Sequence, residues 1–124
     1  MAPFVTETKL TKVPLAYRGK VRDVYENDGK LLIVATDRIS AFDYILPTPI
    51  PDKGKILTKL SVFWFNKTKD LIPNHLLSTD VGAWAQSPAE KEMLEGRSME
   101  VKKAKRLDVE AIVRGYLTGS GWAS

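Results

Sequence analysis

Residues 17–37 constrain the fold more than any other segment, because they predict a β-hairpin. Val21, Asp23 and Tyr25 alternate with Arg22, Val24 and Glu26, and residues 31–36 form an apolar return strand. Between the two strands lie Asn27, Asp28 and Gly29, which are residue types that tolerate the positive φ angles of a tight hairpin turn. We therefore expect an antiparallel strand pair in the first third of the chain.

A loop and a helix are predicted after this hairpin. Pro47, Pro49 and Pro51 alternate, which excludes a helix or a central strand and favours an extended loop. Residues 55–71 then carry apolar side chains at helical spacing, with lysines and Asn66 largely opposite, and Pro73 follows. This pattern predicts an amphipathic helix. Its apolar face consists of Ile56, Leu57, Leu60, Phe63 and Trp64.

The second half of the chain is predicted to contain a short helix and three strands. Ser87 is the expected N-cap of this helix, Pro88 its first residue, Glu90 the capping-box residue and Gly96 the stop. The strands are predicted at residues 75–80, 99–105 and 109–117. Because hairpins rather than βαβ crossovers connect the strands, the order predicts an α+β fold, a mostly antiparallel sheet with helices packed to one side.

Composition excludes several classes of protein. A chain of 124 residues with 44% hydrophobic and 27% charged residues is expected to fold as one globular domain rather than to be disordered. No stretch approaches the ~20 apolar residues of a membrane span. The chain has no cysteine, which excludes disulfides and zinc-thiolate sites, and its amino terminus does not resemble a secretory signal. We therefore expect a soluble, cytoplasmic protein.

The charge of the chain indicates anionic partners. Its formal net charge is +4, which is compatible with nucleic acid or with small phosphorylated ligands. The one dense basic run, at residues 101–106, contains no aromatic side chain on which bases could stack. We therefore expect small anionic ligands and no nucleic acid or membrane partner. As the alternative we keep a non-catalytic nucleotide-binding module or a basic nucleic-acid-binding module.

The segment "RGKVRD" is the first candidate site. Gly19 would let the backbone approach phosphate oxygens, and Lys20 and Arg22, two residues apart, would lie on the same face of a strand and neutralise the phosphates. The alternative is a solvated strand face that carries two cations. Neither a Walker-type nor a dinucleotide-binding glycine motif occurs in the sequence.

The segment "DRISAFD" is the second candidate site. Asp37 and Asp43 could hold a magnesium ion or receive an amine, and the Ser40 hydroxyl could orient a neighbouring group. The alternative is a pair of Asx-turns and a cap, which require no ligand. The single histidine, His75, has no partner that suggests a metal or a catalytic triad, so we interpret it as structural.

The ending "VRGYLTGSG" is the third candidate site. The guanidinium of Arg114 and the hydroxyl and amide groups around Ser120 could bind an anion. The alternative is an edge strand followed by an ordinary turn.

Taken together, these segments resemble one enzyme family. They match, in the same order and at the same spacing, the family of phosphoribosylaminoimidazole-succinocarboxamide (SAICAR) synthases of purine biosynthesis, through "RGKVRDVY", "DRISAFD", "IPDKGKILTKLSVFWF" and "VEAIVRGYLTGSGW". The resemblance covers residues 17–122. Family members are longer, and the acidic D-x-K-x-E-F-G signature of their later half does not occur in these 124 residues. The chain is therefore expected to be an amino-terminal half that is inactive alone.

The resemblance implies an activity and a fold. SAICAR synthases use ATP and Mg²⁺ to join carboxyaminoimidazole ribonucleotide to L-aspartate, giving SAICAR, ADP and phosphate. The fold is expected to resemble the smaller lobe of kinase-like ATP-binding folds. Residues 1–106 would form the ATP-binding lobe, and residues 107–124 would begin the substrate-binding part, which the remainder of the polypeptide would complete.

The resemblance also implies roles for individual residues, although it assigns neither a catalytic residue nor a metal ligand. The residues expected to bind ATP are Gly19, Lys20 and Arg22 at the phosphates and Glu110 at the ribose. Those expected to bind substrates are Asp37, Ser40, Asp43, Arg114 and Ser120, of which the last two would hold the phosphate and carboxylate end of the ribonucleotide.

Overall fold

The computed structural model describes residues 4–124, which form an antiparallel sheet with helices. The sheet contains five strands in the order β1-β2-β3-β7-β6, and β4 and β5 form a separate two-stranded ribbon. The strands are β1 (Leu15–Arg18), β2 (Arg22–Asn27), β3 (Lys30–Ala35), β4 (Ser40–Ala41), β5 (Tyr44–Ile45), β6 (Leu76–Ser78) and β7 (Ser98–Lys102). The helices are α1 (Lys53–Thr68), α2 (Pro88–Leu94) and α3 (Ser120–Ala123). The predicted α+β class is confirmed.

The predicted hairpin is confirmed as β2 and β3. Asn27 pairs with Lys30, and the two residues between them, Asp28 and Gly29, have φ angles of 52° and 73°. Positive φ at both central positions gives a turn whose twist matches that of the strands. The sequence did not predict β1, which pairs with β2 and brings Arg18 opposite Asp23. The residues that join these two strands, 19–21, are called the glycine loop below.

The core lies between the sheet, α2 and the amino-terminal segment. Its buried cluster includes Tyr25, Leu32 and Val34 from the sheet and Leu94 from α2. The predicted cap of α2 is confirmed, since Ser87 Oγ accepts a hydrogen bond of 3.2 Å from the Glu90 amide. The Glu90 carboxylate instead accepts from the amides of Gln86 and Thr11, so it fastens the amino-terminal segment to this helix.

The amphipathic pattern predicts that α1 buries its apolar face, and this prediction is wrong. Among the five residues of the predicted apolar face, Ile56, Leu60, Phe63 and Trp64 are between 51% and 56% exposed, whereas the buried residues are Gly54 and Thr58 on the opposite face. The reason is close approach of the backbones: a Cβ on Gly54 would lie 2.0 Å from the carbonyl oxygen of Ala35. The helix therefore packs through its smaller side chains and leaves its larger apolar ones outside.

The predicted strand at residues 109–117 is also wrong. These residues form no helix or strand, and all of their side chains are exposed. Alternation alone cannot make a strand, because a strand needs a neighbour to complete its hydrogen bonds, and this segment has none within residues 4–124. β7 likewise ends at Lys102, before the predicted boundary at residue 105.

No helix among those of residues 4–124 is both long enough and apolar enough to cross a membrane.

Candidate functional site

The glycine loop presents backbone N–H groups and cations at the edge of the sheet. Its turn is closed by a hydrogen bond of 2.7 Å from the Gly19 amide to the Arg22 carbonyl. The side chains of Lys20 and Arg22 are exposed. The expectation that both lie on one strand is wrong, because β2 begins at Arg22 and Lys20 precedes it.

Arg38, which the sequence analysis did not single out, holds this loop from inside. Its buried guanidinium donates to the carbonyl oxygens of Gly19 and Lys20, each at 3.0 Å. It also donates to the Thr6 carbonyl at 2.6 Å and to Asp23 Oδ1 at 2.9 Å. One side chain therefore connects the loop, the amino-terminal segment and β2.

The orientation of these carbonyls decides where the loop amides point. In a trans peptide the N–H of one residue points opposite to the C=O of the residue before it, and no cis peptide occurs in the part of the chain that the structure describes. Because the carbonyls of Gly19 and Lys20 face Arg38, the amides of Lys20 and Val21 point away from it. Neither amide donates to an acceptor within residues 4–124. Adjacent free amides beside two cations form a cradle suited to an anion.

Asp23 balances the charge of Arg38 beneath the loop. Its carboxylate is fully buried and accepts from the amide and hydroxyl of Thr8 at 2.9 and 2.7 Å. The other oxygen accepts from Arg38 and, at 3.1 Å, from Arg18. Burial raises the pKa of Asp23, but the hydrogen bonds from Thr8 and Arg38 outweigh it, so the pKa lies below its ordinary value.

Asp37, predicted to bind substrate, lies inside the fold. Arg97 donates to its two oxygens at 2.8 and 3.2 Å, and the amides of Gly54 and Val5 complete the set at 2.9 and 2.8 Å. Burial raises the pKa of Asp37, but the hydrogen bonds from Arg97 and the two amides leave it below its ordinary value. Each oxygen accepts two hydrogen bonds, and the carboxylate joins the start of α1 to the end of β3.

These two buried carboxylates predict loss of stability in acid. A carboxyl whose pKa is lower in the folded state stabilises the protein above its unfolded pKa, and this contribution disappears as the pH falls through the folded pKa. The free energy of unfolding should therefore be nearly constant from pH 7 to about pH 5. It should decrease once the pH drops below the ordinary carboxyl pKa of 3.8. Urea unfolding at a series of pH values measures this, and an unchanged midpoint between pH 5 and pH 2.5 would contradict it.

The ribbon of β4 and β5 brings a predicted substrate residue to the glycine loop. Phe42 and Asp43 form its turn with φ angles of 49° and 66°. Asp43 pairs with Lys20, and both side chains are exposed. The hydrogen bond and opposite charge raise the pKa of Lys20 and lower that of Asp43. Ser40, the third residue predicted in this segment, lies in the same ribbon opposite Ile45.

A further cation, Lys53, is the first residue of α1 and interacts electrostatically with Arg22. Burial lowers the pKa of Lys53, and the positive charge of Arg22 lowers it further. No sequence pattern indicates this interaction, because residues 22 and 53 lie far apart in the chain. The arrangement adds to the positive potential beside the loop amides and favours an anion there.

The predicted residues of the carboxyl-terminal segment form their own contact. Arg114 donates to Ser120 Oγ at 3.0 Å, and both side chains are exposed. Glu110 is exposed in the same segment. Among the described residues, no hydrogen bond or ion pair links these three side chains to the glycine loop. The structure therefore brings together Arg114 with Ser120, and Lys20 with Asp43, as two separate groups.

The carboxylates of the candidate segments already have protein partners. Within residues 4–124 no three side chains of His, Cys, Asp or Glu are grouped where they could hold a metal. Asp23 and Asp37 are already saturated by hydrogen bonds from protein groups, and Asp43 is paired with Lys20.

Comparison with known proteins agrees with the resemblance seen in the sequence. A profile of the family described as SAICAR synthetase matches residues 15–124. The phosphoribosylaminoimidazole-succinocarboxamide synthase of Thermodesulfovibrio yellowstonii is 63% identical over 123 residues, which are 98% of this chain and 42% of that protein. The synthase of Methylococcus capsulatus is 57% identical over 117 residues, which are 94% of this chain and 39% of that protein.

This chain is also similar to solved structures of SAICAR synthases. A SAICAR synthase from Saccharomyces cerevisiae in complex with SAICAR matches 96% of this chain and 43% of its own, with 47% identity and a TM-score of 0.86. The chain thus spans about two fifths of the length of these relatives. The family profile covers nearly the whole chain, and sequence and fold agree with it, so the chain belongs to the SAICAR synthetase family.

Proposed function

We propose that this chain supplies the ATP-binding amino-terminal lobe of a SAICAR synthase, a cytoplasmic, ATP-dependent ligase of purine biosynthesis. Residues 1–106 form that lobe in this proposal, and residues 107–124 begin the substrate-binding part. The observation that carries it is the glycine loop, whose amides at Lys20 and Val21 point outward beside two exposed cations. The family membership supports the ATP phosphates as the anion.

The geometry suggests how the phosphates would be received. Lys20 and Val21 would offer the free amides of the loop, while Lys20 and Arg22 supply positive charge. Gly19 would let the phosphates approach the backbone, because it has no side chain. Lys20 must exchange its partner, because it is paired with Asp43 in the structure. A triphosphate can replace one carboxylate, since it brings more negative charge to the same cation and also accepts from the loop amides. Binding ATP would then release Asp43 and its ribbon for the substrates.

The reaction proposed for the whole protein requires activation of a carboxylate. The carboxylate of carboxyaminoimidazole ribonucleotide is a poor acyl donor because its leaving group would be an oxide. Transfer of the γ-phosphoryl group of ATP to a carboxylate oxygen gives ADP and an acyl phosphate. The amine of L-aspartate then attacks the carbonyl carbon, phosphate leaves, and the amine loses a proton to give the amide of SAICAR. Positioning and charge stabilisation supply most of the acceleration in such a transfer.

The substrate-binding residues in this proposal are those implied by the family. Arg114 and Ser120 would hold the ribonucleotide, and their mutual hydrogen bond already orients the guanidinium. Asp43 and Ser40 would face the substrates from the ribbon, and Glu110 would reach the ATP ribose. Asp37 would contribute indirectly, by holding the neighbouring segment in place, since its own oxygens already accept hydrogen bonds from protein groups. The SAICAR bound to the yeast relative supports small-molecule substrates of this chemistry.

Magnesium belongs to the proposal only as the ion that accompanies ATP. Asp23 and Asp37 already accept hydrogen bonds from protein groups, so its coordination would come from the phosphate oxygens and from other residues. For the nucleic-acid alternative, one cation of the basic run is already paired, since Lys103 contacts Glu26 at 2.7 Å.

Lys20→Ala combined with Arg22→Ala tests the phosphate site. In the full-length protein this double variant should weaken ATP binding by about 3 kcal/mol, because two charge-assisted contacts to phosphate are removed. The loss is measured by titration calorimetry. Lys69→Ala combined with Lys91→Ala removes the same charge from other exposed sites and should leave ATP affinity unchanged. If the first pair binds ATP within twofold of the parent, the glycine loop is not the phosphate cradle.

A further inference from the structure

The amino-terminal segment is firmly attached to the fold, although it forms no regular structure. Residues 4–14 contain no helix or strand, yet Thr8 is only 2% exposed, and Leu10 and Val13 lie in the hydrophobic core. We call residues 5–11 the strap. Because the strap belongs to no backbone ladder, its polar groups must find partners elsewhere in the fold. Those partners show which parts of the molecule the strap holds together.

Thr8 contacts the two strand ends that flank the glycine loop. Its carbonyl oxygen accepts a hydrogen bond of 2.7 Å from the guanidinium of Arg18, the last residue of β1. Its amide and hydroxyl donate to Asp23 Oδ2 in β2 at 2.9 and 2.7 Å. Arg18 donates to Asp23 Oδ1 at 3.1 Å, so the three residues form a closed ring of contacts at the base of the loop.

The backbone pairing at this point is weak, which gives the ring its importance. β1 has four exposed residues, lies at the edge of the described sheet, and pairs with β2 through an irregular register between Leu15 and Tyr17. A short edge strand with an irregular register makes few ladder hydrogen bonds. The position of the loop therefore depends on the side-chain contacts at its base as well as on the ladder.

The strap also reaches Arg38, which holds the loop from inside. The carbonyl oxygen of Thr6 accepts from the Arg38 guanidinium at 2.6 Å. Arg38 donates in turn to Asp23 Oδ1 at 2.9 Å, while Thr8 donates to the other oxygen of the same carboxylate. A movement of Asp23 would therefore be transmitted to Arg38 and to the loop carbonyls that it holds. The strap thus contacts each of the three side chains that support the loop, which are Arg18, Asp23 and Arg38.

We propose that Thr8 is a positioning residue of the phosphate site, which keeps the glycine loop in the conformation that presents its outward amides. The Thr8 hydroxyl matters because Asp23 is fully buried, so water does not readily replace a lost donor. Without that hydroxyl the carboxylate shifts toward Arg18 and Arg38, whose positions decide the shape of the loop. The expected effect on ATP rests on the proposed function, whereas the expected effect on the loop does not.

Thr8→Val in the full-length protein tests this role, because valine keeps the shape of threonine and lacks its hydroxyl. The amide of Gly19 closes the loop on the Arg22 carbonyl. Its hydrogen exchange, measured by NMR, should accelerate by about fivefold, and the Kd for ATP, measured by calorimetry, should rise by about the same factor, which is the scale of one net hydrogen bond. Thr8→Ser restores the hydroxyl and should keep both quantities within about twofold of the parent.

Thr11→Val is the matched control, since Thr11 makes the same pair of hydrogen bonds from the same strap. Its amide and hydroxyl donate to Glu90 Oε1 at 2.8 and 2.9 Å, and Glu90 belongs to α2. Tyr25→Phe removes only the 2.8 Å contact between the hydroxyls of Tyr25 and Thr8. Both controls should leave Gly19 exchange and ATP affinity within about twofold of the parent. Parental values in Thr8→Val, or equal effects in Thr8→Val and Thr11→Val, overturn the proposal.

Arg18→Met tests the same ring without a fully buried substitution. The Arg18 side chain is 35% exposed, so the variant should fold, and Gly19 exchange should accelerate because the Thr8 carbonyl loses its donor. Glu7→Gln weakens the other contact of Arg18 and should leave Gly19 exchange at the parental rate. Unchanged exchange in Arg18→Met contradicts the role of the ring. If the double variant of the loop cations leaves ATP binding unchanged, the ATP site fails, but Gly19 exchange still decides whether Thr8 positions the loop.

Discussion

Replacing Asp37 by asparagine is expected to lower the free energy of unfolding by about 3–5 kcal/mol, because it leaves the guanidinium of Arg97 buried without its countercharge. Arg97 is 2% exposed, and both of its terminal nitrogens donate to the Asp37 carboxylate. Water cannot replace the lost partner at that depth. Urea unfolding of the 124-residue chain, followed by circular dichroism, measures the change without any ligand.

Two comparisons make the Asp37 result specific. Asp43→Asn also removes one carboxylate from an ion pair, but that pair is exposed, so its effect on stability should be within about 0.5 kcal/mol. Asp37→Asn combined with Arg97→Met removes both charges and keeps a side-chain oxygen that can accept from the Gly54 or the Val5 amide. This double variant should cost less than Asp37→Asn alone, since no unpaired charge remains. A loss below about 1 kcal/mol for Asp37→Asn would contradict the scaffold role given to this carboxylate.

The elements that the sequence predicted well are those with local causes. The β2–β3 turn follows from Asp28 and Gly29, which accept positive φ, and α2 begins where Ser87 can cap the Glu90 amide. Each of these causes operates within about four residues, so no knowledge of distant segments is required. The same is true of Gly96, whose φ of 79° ends the turn after α2.

The elements that the sequence predicted badly depend on distant partners. The apolar spacing of α1 identifies a helix but not which side meets the sheet, because the contact is decided by how closely Gly54 can approach Ala35. The alternation at residues 109–117 predicts a strand only if a neighbouring strand is available, and none lies beside it within the described chain. Periodicity reports the apolar faces of a segment and leaves their partners undetermined.

The candidate site was likewise predicted only where its causes are local in the sequence. The sequence located the exposed groups of the glycine loop, since a glycine flanked by cations is visible in any five-residue window. It missed Arg38 and Asp23, which hold the loop from beneath, because their pairing joins β2 to the segment that follows β3. One signal was present: Asp23 and Tyr25 lie on the same face of a strand, and Tyr25 is a core residue. A carboxylate on a core face requires a buried cation.

Arg38→Lys is expected to lower the free energy of unfolding by about 2–4 kcal/mol, although it keeps the positive charge. The guanidinium serves four acceptors in different directions, at Gly19, Lys20, Thr6 and Asp23. A lysine ammonium is a single point on a flexible stem and cannot reach all of them. The carbonyls of the glycine loop would then lose their donors, and the loop amides would lose their fixed outward direction.

The effect of Arg38→Lys on ATP binding distinguishes the contribution of the loop geometry from that of positive charge. In the full-length protein the affinity for ATP should fall by at least about tenfold, equivalent to about 1.4 kcal/mol, although Arg38 is buried and faces away from the outward amides. Hydrogen exchange should accelerate at the amide of Gly19, which closes the loop on the Arg22 carbonyl, because the loop no longer keeps one conformation. Arg106→Lys, an exposed substitution of the same kind, should change neither property. Parental stability and ATP affinity in the Arg38→Lys protein would mean that the loop holds its shape without this side chain, and the phosphate cradle would then have to be explained by Lys20 and Arg22 alone.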